Sequence, residues 1–348
     1  MEKENKNIWL TYSAEEKEEL HKICELYKSW LDKGKTEREC VELAVELAEK
    51  AGYHNLEEYL SEERQIQKGE KIYAVCMKKC IVLFRMGAEP ISAGMNILGA
   101  HIDSPRIDIK QNPLYEKDDF TYLDTHYYGG IKKYQWVTQP LALHGVVVKK
   151  DGSCVNISIG EREDEPVFVI TDLLVHLASK QLEKKAGEVI EGEKLDILVG
   201  NCPIERDENL KEEKETVKAN VLKILEEAYG ISEEDFASAE LEIVPSGKAR
   251  DIGFDRSMIL AYGQDDRVCA FTSLRAMLDL KETDRTVCCI LVDKEEIGSV
   301  GATGMQSRFF ENATAELMEL MGEYSELNLR RGLANCVMLS SDVSAGYD

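Results

Sequence analysis

The stretch Val292-Asp293-Lys294-Glu295-Glu296-Ile297-Gly298-Ser299 decides how the rest of the chain is read. It follows residues 286–291 (TVCCIL), a β-branched, cysteine-rich run of the kind that forms a buried strand, and it opens into glycines at 298, 301 and 304. An acidic pair therefore stands where a buried strand ends and a loop begins. In α/β sheets that is where ligands sit, and two adjacent carboxylates can divide labour there: one holds a metal, the other moves a proton. An acidic pair by itself is more often a solvated turn, so its companions carry the argument.

Working outward, the same arrangement recurs. The segment AHIDSP (100–105) ends an apolar run at 95–100. The His101 imidazole suits a borderline metal, and Asp103 can turn back to take the other ring N–H, because side chains at i and i+2 point the same way from an extended chain. Asp265 and Asp266 precede a helical stretch at 268–280, and Asp342 closes the apolar run that begins at Asn335. Ligand groups thus end four separate loops. Imidazole plus carboxylates suits Zn, Mn or Co, and a bridging carboxylate would hold two such ions about 3.5–4 Å apart.

Elsewhere the pattern predicts helices and strands in turn. Ser13 with Glu16 and Thr36 with Glu39 form capping boxes that open a helical hairpin broken at Gly34, with a solvated charged face. Strands are predicted at 72–76, 80–84 and 95–100. From 111 to 248 the texture is β-rich, with an Asp151-Gly152 hairpin turn between runs at 141–148 and 155–159. A short helix at 172–181, a strand at 195–199 and an amphipathic helix near 212–229 follow, then a Met/Leu/Phe-rich helical region at 308–324. The segment 111–248 reads as an insertion between two parts of one catalytic sheet.

The chain of 348 residues has room for about two domains, at roughly 100–200 residues each. A net charge of -23 disfavours nucleic acid and anionic membranes as partners. No apolar run approaches the roughly 20 residues of a membrane span, and the charged start MEKENKNIWL is unlike a signal peptide, so the expected location is the cytoplasm. The ten cysteines follow no disulfide framework. Cys76, Cys80, Cys154, Cys288, Cys289 and Cys336 read as reduced core thiols, with Cys288 and Cys289 on opposite faces of one strand.

Taken in order, AHIDSP (100–105), YGG (128–130), DD (265–266), DKEEIGS (293–299) and SSD (340–342) resemble the M18 family of metallo-aminopeptidases, the aspartyl aminopeptidase group among co-catalytic zinc exopeptidases. The resemblance implies an α/β fold: a catalytic sheet flanked by helices (1–110 and 249–348), with a β-rich dimerisation domain at 111–248. It implies two divalent ions, zinc first and Co or Mn as alternatives. His101 and Asp342 would bind one ion, Glu296 the other, and Asp265 would bridge them, Asp266 being the alternative. Asp103 would orient His101, and Glu295 would be general base and acid in removing N-terminal residues from peptides. His176 resembles a family histidine that contacts substrate in a neighbouring subunit, within a dodecamer built from dimers. A non-catalytic assembly protein on the same fold and a metal-dependent deacylase are the other readings.

The family pattern also has a metal-binding histidine near the C-terminus. Here the six histidines are His21, His54, His101, His126, His144 and His176, all ahead of the DD motif. The expectation is a truncated chain, holding at most one ion firmly, with little peptidase activity and an unprotected sheet edge after the SSD strand.

Overall fold

The computed structural model describes residues 7–204 and 215–346. Helix α1 (Ala14–Lys33) begins at Ser13 and α2 (Glu37–Lys50) at Thr36, each with both halves of its capping box in place. Each cap contributes about 1 kcal/mol. The break between them follows from Gly34, whose N–H closes α1 on the Trp30 carbonyl. Strand β1 (His54–Asn55), helix α3 (Leu56–Glu62), and strands β2 (Lys71–Cys76), β3 (Cys80–Arg85) and β4 (Asn96–His101) come next.

The chain then leaves this sheet at once. Strands β5 (Arg106–Lys117), β6 (Phe120–Tyr128), β7 (Leu141–Val148), β8 (Cys154–Ile159), β9 (Ile197–Gly200) and β10 (Ala239–Pro245) form a second, antiparallel sheet in the order β8-β7-β10-β5-β6-β9. The β7–β8 hairpin turns at Asp151-Gly152 as expected. The segment at 172–181 differs from expectation: instead of one helix it has a 3-10 turn at Val175–Leu177 and a four-residue helix α4 (Ser179–Leu182). Its apolar residues Leu173, Leu174, Val175 and Leu177 are exposed, so no core among the described residues selects a regular helix. Helix α5 (Thr216–Tyr229) covers one face of the second sheet through Val221, Leu222 and Leu225. The expected helix near 212–229 falls partly outside the described residues.

After the hairpin of β11 (Arg250–Ile252) and β12 (Met258–Leu260), helix α6 (Gln264–Asp279) leads back to the first sheet through β13 (Val287–Val292). Helices α7 (Phe309–Leu320) and α8 (Glu326–Ala334) and strand β14 (Val337–Ser340) follow. The first sheet has the order β1-β2-β3-β13-β4-β14. Helices cover both its faces: α1, α2 and α6 pack with Cys289 and Leu291, while α3, α7 and α8 pack with Cys288 and Ile290. Cys288 and Cys289 therefore point to opposite faces, as the pleat requires. All ten cysteines are free, but Cys154 is exposed rather than a core thiol, because it starts the edge strand β8.

Two features of this topology position a site. Strands β4, β13 and β14 run parallel, with His101 opposite Val292 and Gly99 opposite Ser340, so their C-terminal ends open together. The link 102–105 between the sheets is fastened to the start of α6: Arg267 Nε donates to the Ile102 carbonyl (3.1 Å), Ser104 Oγ to the Asp265 carbonyl (2.7 Å) and Tyr262 Oη to the Pro105 carbonyl (3.0 Å). Asp265 and Asp266 are thereby held beside the end of β4.

A candidate metal centre

His101 is almost wholly buried, and its two nitrogens face different groups. Nδ1 lies 2.9 Å from the Asp103 carbonyl oxygen and 3.3 Å from Asp103 Oδ1. Nε2 points at carboxylate oxygens from three separate loops: Asp265 Oδ1 at 3.2 Å, Glu295 Oε2 at 3.6 Å and Asp342 Oδ1 at 4.0 Å. Hydrogen bonding at Nδ1 leaves the Nε2 lone pair for a metal.

Two sets of ligand atoms lie within 4.8 Å of one another here: His101, Asp265 and Glu296, and His101, Asp266 and Asp342. Every expected metal ligand is brought to one place, but Asp342 groups with Asp266 rather than with Asp265. Asp266 is fully buried, and among the described residues neither of its oxygens has a hydrogen-bond partner. Orphaned buried carboxylate oxygens are costly unless a cation meets them, so this set fits a metal of the zinc class.

The electrostatics agree. Burial, then the nearby Asp265 carboxylate, pushes Glu296 up to about 7, and burial raises Asp266 to about 6. Burial opposes a charge on His101, yet the hydrogen bond and charge of Asp103 outweigh it and lift the ring to about 9. Too many carboxylates share too little solvent, a repulsion that a divalent cation relieves.

A third set, Glu37, Glu240 and Glu242, also converges within 4.8 Å. Its cation is already present: the Lys79 ammonium is 2.7 Å from Glu37 and pairs with Glu240.

Sequence reasoning gave no role to Tyr128, although YGG was among the motifs. Tyr128 Oη donates to Asp103 Oδ2 at 2.7 Å, and a Cβ on Gly129 would stand 3.0 Å from Glu296 Oε2. The motif's position at the end of β6, across a strand pair from AHIDSP, was its only signal. His176 lies apart on the exposed 3-10 turn and, among the described residues, makes no hydrogen bond or ion pair.

Comparison with known proteins is consistent with this geometry. Residues 30–348 match the family described as aminopeptidase I zinc metalloprotease (M18). A probable M18 family aminopeptidase 1 of Clostridium acetobutylicum is 58% identical over 346 residues, which cover 99% of this chain and 74% of that one. Its counterpart in Thermotoga maritima is 42% identical over 349 residues, covering 100% and 74%. The crystal structure of the Thermotoga maritima M18 aminopeptidase superposes with a TM-score of 0.92 at 42% identity, over 100% of this chain and 74% of that one. That of aminopeptidase I from Clostridium acetobutylicum gives 0.89 at 54%, with the same coverage. Among the described residues, no helix is long and apolar enough to cross a membrane. The chain belongs to the M18 family of zinc metalloproteases, and its activity is that of a metal-dependent aminopeptidase.

Proposed function

We propose that the chain removes N-terminal residues from peptides at the cluster around His101, with His101 and Asp342 holding one divalent ion, Glu296 the second, and Asp265 shared between them. The observation that carries this reading is His101 itself: Nδ1 is anchored on Asp103, and Nε2 faces three carboxylates from three loops. Asp266, buried beside His101 and Asp342, is the other acid available to the first ion. His101 supplies the imidazole common to both groups of ligand atoms.

When bound, zinc polarises the scissile carbonyl and acidifies water. The remaining work falls to side chains. Asp103 holds the His101 ring in one orientation. Glu295 is about half exposed and 3.6 Å from His101 Nε2, so it reaches a water in front of the ring. It takes the proton from that water as the carbonyl is attacked and returns it to the leaving amine. Replacing Glu295 with Gln keeps shape and removes the base. The expected result is loss of hydrolysis of an aminoacyl reporter by about 100-fold or more with zinc still bound; unchanged turnover rules the mechanism out.

The segment 111–248 is read as the assembly domain of a homo-oligomer. Leu173, Leu174, Val175, Leu177 and Leu182 leave an apolar stretch exposed around His176, which supports burial against another copy. There His176 would reach a neighbouring subunit's substrate.

A further inference from the structure

Asp103 accepts more than the His101 ring. Its Oδ1 lies 3.3 Å from His101 Nδ1 and accepts the Glu295 amide at 3.2 Å, while Oδ2 accepts the Tyr128 hydroxyl at 2.7 Å and the Glu296 amide at 3.2 Å. One fully buried carboxylate therefore fixes the imidazole and the backbone of the acidic pair together. The shortest of these contacts comes from the other sheet.

Tyr128 is the last residue of β6, paired across the ladder with Arg106 of β5. The Arg106 guanidinium covers its ring at 3.8 Å from the centroid. Arg106 is itself held by Glu37 (3.2 Å), Asp108 (2.7 Å) and Glu242 (3.2 Å), so the ring has little freedom. The next residue, Gly129, at φ +74°, brings the backbone so close to Glu296 that an added Cβ would lie 3.0 Å from its Oε2.

We infer that Tyr128 is a positioning residue for the metal centre: its hydroxyl fixes the Asp103 carboxylate, and through it the His101 ring and the Glu295–Glu296 backbone. The second sheet thus sets the geometry of a site whose proposed ligands all lie outside it. This rests on the reading of His101 as a metal ligand, and a carboxylate that orients a ligating imidazole typically governs affinity by about 10–100-fold.

The test compares Tyr128→Phe with Tyr115→Phe in the full chain. Tyr115 makes a like hydrogen bond to Asp196 (2.7 Å) in the same sheet, away from the cluster. Two quantities are read: zinc affinity by competition with a chromophoric chelator, and hydrogen–deuterium exchange of the peptide spanning 293–299 in metal-free protein. Tyr128→Phe is expected to weaken zinc binding about tenfold or more and to speed exchange at 293–299, with Tyr115→Phe matching wild type in both. Exchange at 293–299 equal to wild type, or an equal effect of Tyr115→Phe, overturns the proposal, because the exchange readout does not depend on metal. Failure of the metal reading is separate: zinc affinity would then be untouched by His101→Ala.

Discussion

Glu37 and Arg106 meet at 3.2 Å in the seam between the two sheets, each almost wholly excluded from solvent. Lys79 joins Glu37 from the β2–β3 turn at 2.7 Å, and Glu242 joins Arg106 from β10 at 3.2 Å. Burial works against the Glu37 charge, but Arg106 and Lys79 hold its carboxyl well below the usual range. Glu37→Gln takes one buried carboxylate away from Arg106, which keeps Asp108 and Glu242, and from Lys79, which keeps Glu240. Losing one charged partner in a buried group of this kind costs about 1–3 kcal/mol, to be read as a lower urea midpoint. A change below about 1 kcal/mol would show that the seam relaxes around the loss.

His144 offers a pH test of the same seam. It is buried between Glu39 of α2 (2.8 Å) and Glu161 (3.3 Å), whose hydrogen bonds outweigh burial and raise the ring to about 9. A raised folded-state pKa contributes stability that is full below the unfolded value of about 6.5 and is lost as pH rises through about 9. Stability measured from pH 6 to 10 should therefore fall by an amount on the order of 3 kcal/mol in wild type. In His144→Asn that part of the slope should vanish; parallel curves for the two proteins contradict the assignment.

Gly129→Ala should damage the site more than the fold. The added Cβ would lie 3.0 Å from Glu296 Oε2, and φ of +74° costs an L-residue about 1–2 kcal/mol. The expected outcome is loss of about 1–2 kcal/mol in denaturation with a drop of about tenfold or more in kcat. Wild-type kcat would mean that Glu296 has room to move.

How much of this was legible depends on the range of the interaction. The convergence of His101, Glu296 and Asp342 follows from local apolar patterns that end at element boundaries, which the parallel ends of β4, β13 and β14 bring together, while Asp265 is held beside them by the 102–105 link. The seam could not be read. Glu37 sits in the first turn of a capped helix and looks solvated, yet its partners Lys79 and Arg106 lie 42 and 69 residues away in sequence. Tyr128 was hidden in the same way, since its partner Asp103 is 25 residues distant, in the link between the sheets. At 172–181 the local pattern suggested a helix, but with its apolar side chains exposed nothing among the described residues enforces one.

Whether the His101 imidazole, with the carboxylates facing it, holds zinc is read by calorimetric titration of metal-free protein, wild type against His101→Ala. Zinc binding by wild type is expected to weaken by at least about 100-fold in His101→Ala, with the thermal melt kept cooperative; equal zinc binding by the two proteins would rule the site out.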